Sequence, residues 1–577
     1  MGGLVLGPLL RHVDETSGCI WVETADTATV TLRARRDAGG EPIEPGDREE
    51  HVVQVRTFAV HGHHYALVCV EGLVPGSKYP YTVEVDGEQV WPPADSPYPP
   101  SLIATLDPDK PLRLAYGSCR TSVTHDEAGN KAHGVDALHA YALRMAGVTD
   151  PAHDDDPDPG SDARWPDLVL FLGDQVYADE TTDEMRAFIE SRRDIEQPPW
   201  AELKDYEEYA HLYKLAWSDP ANRWLLSTVP TAMIFDDHDI RDDWNTSLTW
   251  KQSMETTSWW HGRVVAGLAS YWVHQHLGNM TPAQRAQDEI WREIAAYDGP
   301  DEFDASDLLD RFADRADQHP ESYRWSFARD FGDQARLVVI DSRAARVLEP
   351  QHRSMLDPDE MRWLDEQLTG DVDHLLIGSS LPFLLAPGLH HMEAWSEALA
   401  DGGWGRRGSK LGEKIRQAGD LEHWAAFQDG FQKVAAMVLE VASGRRGTAP
   451  GTVTFLGGDV HHSYVSEAFP SDGSRTTSRI IQAVCSPIRN PMPRRLRFLV
   501  AVMAYGVAGP VGHVVARSAK VPDSPLKWNL LKGPWFDNNL ATLEVHGRGL
   551  RLWWATGKVD GKEHERPRLH RVADLTV

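Results

Sequence analysis

A chain of 577 residues exceeds what one hydrophobic core usually supports, so two or more domains, or one enlarged by insertions, are expected. With 58 Lys plus Arg against 87 Asp plus Glu, the net charge of −29 argues against sequence-blind binding to nucleic acid or anionic lipid. Four cysteines, Cys19, Cys69, Cys119 and Cys485, are too few for a disulfide framework and suit a reducing compartment.

The N-terminus, MGGLVLGPLLRHVDE, lacks a basic region, a full apolar core and a small-residue cleavage site, so no export signal is read and a cytoplasmic location is expected. Residues 1–106 read as all-β: GCIWVET, TVTLRARR, HVVQVRTF, HYALVCVEGL and YPYTVEVDG alternate apolar with polar residues between Gly, Pro and Asp turns. The turn and tyrosine of Gly72–Val83 resemble the entry to a late strand of fibronectin type III and immunoglobulin-like sandwiches. Residues 107–111 make the linker, within a Pro- and Asp-rich stretch.

From residue 112 to the C-terminus strands alternate with helices, the pattern of an α/β domain. Helices are expected at Asp183–Asp194, Glu207–Trp217, Glu255–Leu277, Asp359–Leu368 and Leu421–Val441, the third with Trp259, Trp260 and Trp272 as core. Leu540–Val577 is strand-like and is expected to complete a second sheet. Phe498–Ala516 carries no charged side chain over 19 residues, the threshold length for a membrane span. Its Gly506, Gly509, Pro510, Gly512 and His513 instead favour a buried or interfacial helical hairpin, with peripheral membrane contact as its role.

Five apolar runs each end in polar residues: Leu112–Tyr116 in GSCR, Leu168–Leu172 in GDQVYAD, Thr231–Phe235 in DDHDIRDDW, Ala335–Ile340 in DSR, and Thr452–Leu456 in GGDVHHS. Ligands collect at the carboxyl ends of strands in such sheets, and metals that activate water need oxygen and imidazole donors from several loops. Asp174, Tyr177, Asp236, Asp237, His238, Asp239, Asp459, His461 and His462 are such donors, with Cys119 a further thiolate. Any one of them alone reads equally as a helix cap or a surface residue; the set does not.

GDQVY (Gly173–Tyr177), DDHD (Asp236–Asp239) and GDVHH (Gly458–His462) resemble the GDxxY, GNH(D/E) and GHxH blocks of calcineurin-like metallophosphoesterases. With GSCR (Gly117–Arg120), the set is closest to the PhoD-like, or alkaline phosphatase D, family. The resemblance implies a metallophosphoesterase-type β-sheet sandwich flanked by helices, preceded by the all-β sandwich. It implies metal-dependent hydrolysis of small-molecule or polymeric phosphate esters, diesters slightly favoured over monoesters, by a metal-bound hydroxide at a dinuclear or larger site.

Carried over by position, the resemblance makes Asp174 the bridging ligand, Tyr177 a phenolate and Cys119 a thiolate on one ion, with Asp237, Asp459 and His461 as further ligands. Fe3+ and Ca2+ are the ions implied, with Zn2+, Mn2+ or Mg2+ as alternatives. His238 would protonate or stabilise the leaving oxygen, with a positioning role held by Asp239 as the alternative. Arg120 and Arg241 are candidate phosphate clamps, or partners of the abundant aspartates. Arg406 and Arg407 read as a solvated loop, and Asp341 and Arg343 gain no ligand role from their spacing. Ser379, Ser380 and Pro382 stand where simpler members of the superfamily place a histidine; His390 and His391 could substitute, though a surface pair is the simpler reading. The alternatives to hydrolysis are a non-catalytic binding scaffold and a membrane-docked phospholipid phosphodiesterase.

Overall fold

The structure is a computed structural model that describes residues 3–37, 50–149, 164–350, 352–402, 404–405, 412, 421–493, 497 and 508–577. The N-terminal strands form two facing antiparallel sheets. One contains Leu4–Val13, Ser17–Thr24, His63–Glu71 and Phe58–Val60, the other Glu50–Arg56, Thr29–Arg35, Lys78–Val85 and Glu88–Trp91. Their alternating apolar residues, among them Leu10, Ile20, Val30, Leu32, Val68, Tyr79 and Val83, share one core, as a β-sandwich requires. The Tyr79 hydroxyl accepts a hydrogen bond from the Val74 amide at 2.9 Å, the local tie of a tyrosine corner.

Buried polar bonds join the sandwich to the α/β part of the chain. Arg11 donates to the carbonyls of His274 and Gln275 at 2.8 and 2.6 Å, and the Tyr81 hydroxyl donates to the Ser227 carbonyl at 2.6 Å. The short strand Phe303–Asp304, far along the chain, pairs in parallel with the edge strand Phe58–Val60.

Two further sheets carry the α/β part. In the first, Thr231–Ile234, Leu168–Leu172 and Arg113–Gly117 run parallel, and Leu540–His546, Gly549–Lys558 and Arg568–Thr576 continue it antiparallel. In the second, Ala335–Ile340, His374–Ser379, Thr452–Gly457 and Arg479–Val484 run parallel, flanked by antiparallel Phe327–Phe331, Ser463–Pro470 and Leu526–Trp535. The C-terminal strands therefore extend the first sheet and not the second, because Leu540–His546 pairs directly with Arg113–Gly117. The central strands are buried on both faces, which explains their unbroken apolar runs.

The expected helices appear with shifted ends: Asp183–Arg192, Tyr206–Trp217, Trp260–His274, Pro358–Gln367 and Gln428–Ala442. The apolar stretch expected to form one helix from Glu255 begins only at Trp260, after a separate helix Leu248–Glu255. Trp259, Trp260 and Trp272 are all buried. Residues 498–507 and Arg406 and Arg407 lie outside the described residues; of the apolar segment, the helix Ala508–Ser518 is seen, resting against Pro387 and His391. No helix among the described residues is long and apolar enough to cross a membrane. Cys19 and Cys69 face each other across neighbouring antiparallel strands and are joined as a disulfide, contrary to the reading from cysteine number. Direct cross-strand pairing brings two β-carbons together whatever the total count.

Candidate metal centre

The five polar strand ends come together between the two mixed sheets of the α/β part. After Leu168–Leu172 the chain turns at Gly173, whose φ of +96° suits glycine and where an added β-carbon would lie 2.6 Å from Asp236 Cβ. Asp174 comes next with φ 50°, and Cys119, Asp459 and His461 likewise hold φ of 57°, 62° and 49°. Left-handed backbone costs a non-glycine residue on the order of 1 kcal/mol or more, so the surroundings must impose it. They do so by cross-ties between loops: the Cys119 amide donates to the Gly173 carbonyl at 3.3 Å, Arg120 N to the Asp174 carbonyl at 3.0 Å, and Gly458 N to the Ser380 carbonyl at 2.9 Å.

Asp239 organises the carboxylates without pointing among them. Its Oδ2 accepts from the amides of Asp174 and Asp236, each at 2.9 Å, and its Oδ1 from Gln275 Nε2 at 3.0 Å. The result is that carboxylate oxygens of Asp174, Asp236, Asp237 and Asp459 all lie within 4.8 Å of one another. Asp174 Oδ1 and Asp236 Oδ2 are buried without a hydrogen-bond partner. Four converging carboxylates, three of them buried, with unpaired acceptors among them are costly unless cations lie there.

The protonation behaviour reflects that lack. Burial, with the like charges of Asp236 and Asp237 added, raises Asp174 well above the ordinary carboxylate range. Burial likewise raises Asp236 strongly and pushes Asp237 up to about 6, although the Arg343 guanidinium opposes both. Cys119 donates its thiol to Asp174 Oδ2 at 3.3 Å, and burial first, then Asp174 and Asp459, push it well up. A thiol in such surroundings becomes a thiolate when a metal takes the proton's place. The donor set fits a metal: carboxylates for hard cations, with a thiol and a phenol on one side.

Arg343, Glu422, His423 and Glu393 belong to the site although the sequence singles out only the first, and that without a role. Arg343 is fully buried, bonds Asp236 and Glu422, and lies 3.1 Å from Asp237 Oδ1. His423 Nε2 lies 3.1 Å from Asp459 Oδ2 and its Nδ1 2.9 Å from Glu393 Oε1. Glu422 and His423 stand at the entry to the short turn Trp424–Ala426 and not at a strand end, and Glu393 sits mid-helix, so no motif marks them.

His238 Nδ1 is held by both oxygens of Asp179, at 2.9 and 3.0 Å, and not by Asp239. Burial opposes charge on His238, but the charges of Asp179 and Asp237 and the bond to Asp179 raise it well above the usual imidazole range. Its ring lies 4.8 Å from that of Tyr177. His461 shares the Asp459 loop, donates its amide to Ser486 Oγ at 3.2 Å, and is lowered to about 4 by burial. His462 instead turns away, with Nδ1 2.6 Å from the Val460 carbonyl.

Neither arginine proposed as a clamp reaches the carboxylate cluster. Arg120 gives two nitrogens to Asp136, at 3.0 and 2.8 Å, and a third to the Ala216 carbonyl at 2.7 Å. Arg241 is forked onto Glu202 at 2.9 and 3.3 Å. Partnering by carboxylates, the alternative for both, is what the packing realises. Asp341 caps its own turn, accepting from the amides of Arg343, Ala344 and Ala345. Ser380 bonds Ser342 at 2.8 Å, and His390 is buried against Phe431 and Trp528 and so is not a surface residue. Beside Asp179 opens a cavity of about 830 Å³, lined by Thr121, Glu180, Thr181, Trp200 and Asn490 among others.

The sequence matches the family described as PhoD-like phosphatase over residues 161–499, more than half of the chain, and a domain of unknown function, DUF7800, over residues 1–103. A comparison with curated protein sequences finds no match. Among solved structures, that of PhoD aligns over 99% of this chain and 90% of its own, at 13% identity and a TM-score of 0.56. The purple acid phosphatase PPD1 from yellow lupin (Lupinus luteus) seeds aligns over 99% and 73% at 10% identity and a TM-score of 0.46.

Proposed function

The chain belongs to the PhoD-like phosphatase family, and from that premise we propose that it hydrolyses phosphate esters, diesters in preference to monoesters, at a metal centre held by Asp174, Asp236, Asp237 and Asp459. The observation that carries this reading is the four carboxylates, three buried and one part-buried, within 4.8 Å of one another, with Asp174 Oδ1 and Asp236 Oδ2 accepting no hydrogen bond. Cys119 and Tyr177 would complete an Fe3+ site on one side, where thiolate and phenolate suit a trivalent ion. Asp237, Asp459 and His461 would complete a second site, which suits Ca2+ or Mg2+. When bound, such ions activate water and neutralise charge on the phosphoryl oxygens.

The protein's own groups supply the rest. Asp179 fixes the His238 ring through Nδ1, which leaves Nε2 as the nitrogen that carries a proton to the departing alkoxide. Asp239, out of the cluster, holds the Asp174 and Asp236 backbones so that their side chains converge before any ligand arrives. The cavity beside Asp179 offers room for a second ester substituent, and exposed Trp200 at its wall gives that substituent an apolar face.

The test is hydrolysis of a chromogenic phosphodiester and its matching monoester, before and after metal stripping and refilling with Fe and Ca. Activity lost on stripping and regained on refilling, greater on the diester, is expected. No hydrolysis of either ester by the metal-filled protein would overturn the reading.

A further inference from the structure

The three histidines of HGHH, His61, His63 and His64, lie on the turn and strand that follow Phe58–Val60, and each meets a carboxylate of the α/β part. His61 Nε2 lies 2.9 Å from Asp310 Oδ1, His63 Nε2 2.9 Å from Glu207 Oε2, and His64 Nδ1 2.7 Å from Glu302 Oε2. Glu207 stands in the first turn of Tyr206–Trp217, Asp310 in the helix Ser306–Gln318, and Glu302 just before Phe303–Asp304. The contacts therefore flank the place where Phe303–Asp304 pairs with the sandwich.

His63 is the member whose charge the geometry dictates. Its other nitrogen, Nδ1, lies 2.8 Å from Glu23 Oε1, so a carboxylate faces each nitrogen of one ring. A neutral imidazole has a single N–H and serves one of them; the imidazolium serves both. The two acids are not equivalent. Glu23 belongs to Ser17–Thr24, is buried, and has its Oε2 without a hydrogen-bond partner, whereas the Glu207 side chain is 45% exposed. A buried carboxylate loses its donor at high cost, while a half-exposed one takes water instead. When the ring gives up a proton, the remaining N–H stays on Glu23 and the bond to Glu207 is the one that goes.

We propose that His63, supported by His61, is a proton-operated latch between the sandwich and the α/β part, closed while the ring carries both protons and opened on the Glu207 side as pH rises. Burial opposes charge on His63, but the bonds to Glu23 and Glu207 and their charges outweigh it and raise the ring above 6.5. The bond to Asp310, with the charges of Asp310 and Asp304 added, raises His61 as well. A raised folded value means that the latch is complete below 6.5 and is lost as pH climbs through that folded value. The groups packed around the His63 ring keep their charge state there: burial lowers His274 to about 3 and raises Tyr65 and Tyr206 well above the usual phenol range. Beside His61, a cavity of about 670 Å³ is lined by Lys204, Asp205, Arg311, Asp314 and the exposed His261.

The other buried ties between the two parts, from Arg11 and Tyr81, end on backbone carbonyls, so the sandwich stays seated when the latch opens. The opening bears on one helix end. Glu208, next to Glu207, holds Arg193, which donates to the carbonyls of Trp200 and Glu202 on the wall of the cavity beside Asp179.

Amide hydrogen exchange of the full metal-filled chain, followed by mass spectrometry at about pH 5.5 and about pH 8.5 and corrected for the intrinsic pH dependence of exchange, tests the latch. In the wild type, protection of Phe58–Glu71 is expected to fall about 5- to 10-fold at the higher pH, the effect of one charged hydrogen bond, while Leu4–Val13 and Trp260–His274 stay unchanged. In Glu207→Gln the amide accepts from a charged ring and donates to a neutral one, so the fall should disappear. In Glu207→Ala the hairpin should exchange at about pH 5.5 as the wild type does at about pH 8.5. Equal protection of the wild-type hairpin at both pH values, a fall of the same size in Glu207→Gln, or a fall shared by Leu4–Val13 would overturn the proposal. The readout involves no ester and stands apart from the hydrolytic reading.

Discussion

His423 stands between two acids, Glu393 at 2.9 Å and Asp459 at 3.1 Å, and so passes the charge of a buried helix residue to an aspartate of the proposed metal centre. Burial disfavours a charged His423, but Glu393 and Asp459 raise it well above the usual imidazole range. Glu393→Gln removes half of that support. Its metal affinity should fall about 10- to 100-fold, the ordinary cost of losing a partner behind a ligand. Recovery of activity during metal titration measures this; an affinity within about twofold of wild type would remove Glu393 from the site's support.

Metal removal should expose the repulsion among Asp174, Asp236, Asp237 and Asp459. Arg343 touches Asp236 and Asp237 but not Asp174. In the stripped protein, Asp174→Asn should therefore raise stability, by about 1–2 kcal/mol near neutral pH, because it neutralises an unpaired buried acid. The same variant should not regain hydrolysis on refilling. Thermal unfolding of stripped and refilled samples, read beside activity, checks both halves. A stripped variant less stable than stripped wild type would count against the charge-repulsion account.

Glu360 offers a pH effect far from the metal ligands. Burial, with the charge of Asp341 added, pushes it up to about 8, although Arg324 opposes. The folded chain thus holds a proton that the unfolded chain releases above its ordinary value of 4.5. Between those two values the native state binds more protons, so this contribution to stability declines as pH rises and is gone above about 8. Glu360→Gln keeps the shape without the ionisation. It should be more stable than wild type at about pH 9, by on the order of 1–3 kcal/mol, and close to it at about pH 4. Urea unfolding at both pH values decides; equal differences at the two would refute the assignment.

The Cys19–Cys69 link closes a loop of 50 residues within the sandwich. Replacing both by alanine should lower stability by about 3–4 kcal/mol through the freer unfolded chain. Hydrolysis should be retained, because neither residue approaches Asp174 or its neighbours. Denaturation with and without reductant provides the measurement, and a wild type indifferent to reductant would show that the link is not formed.

Much of this organisation was legible in the sequence because a buried parallel strand leaves an unbroken apolar run and a polar loop after it. Asp174, Asp237 and Asp459 stood out for that reason. What stayed hidden depends on contacts between distant segments. Arg343 gains its place by meeting Asp236 and Glu422, and His423 by lying between Glu393 and Asp459. No local period records such meetings. Arg120 and Arg241 show the converse: residue type suggested a phosphate partner, while packing supplied Asp136 and Glu202. The C-terminal strands were recognisable as strands, but register alone assigned them to Arg113–Gly117.

The pairing of Phe303–Asp304 with Phe58–Val60 also bears on how the polypeptide is made. An emerging chain has produced every other strand of the N-terminal sheet that holds Leu4–Val13 long before residue 304 leaves the ribosome. Until then one border of that sheet shows bare amide and carbonyl groups, the kind of template on which strangers add strands. Synthesis at about 5–20 residues per second leaves that border open for tens of seconds. A truncated N-terminal half would keep it open permanently, so its tendency to associate should exceed that of the full-length product.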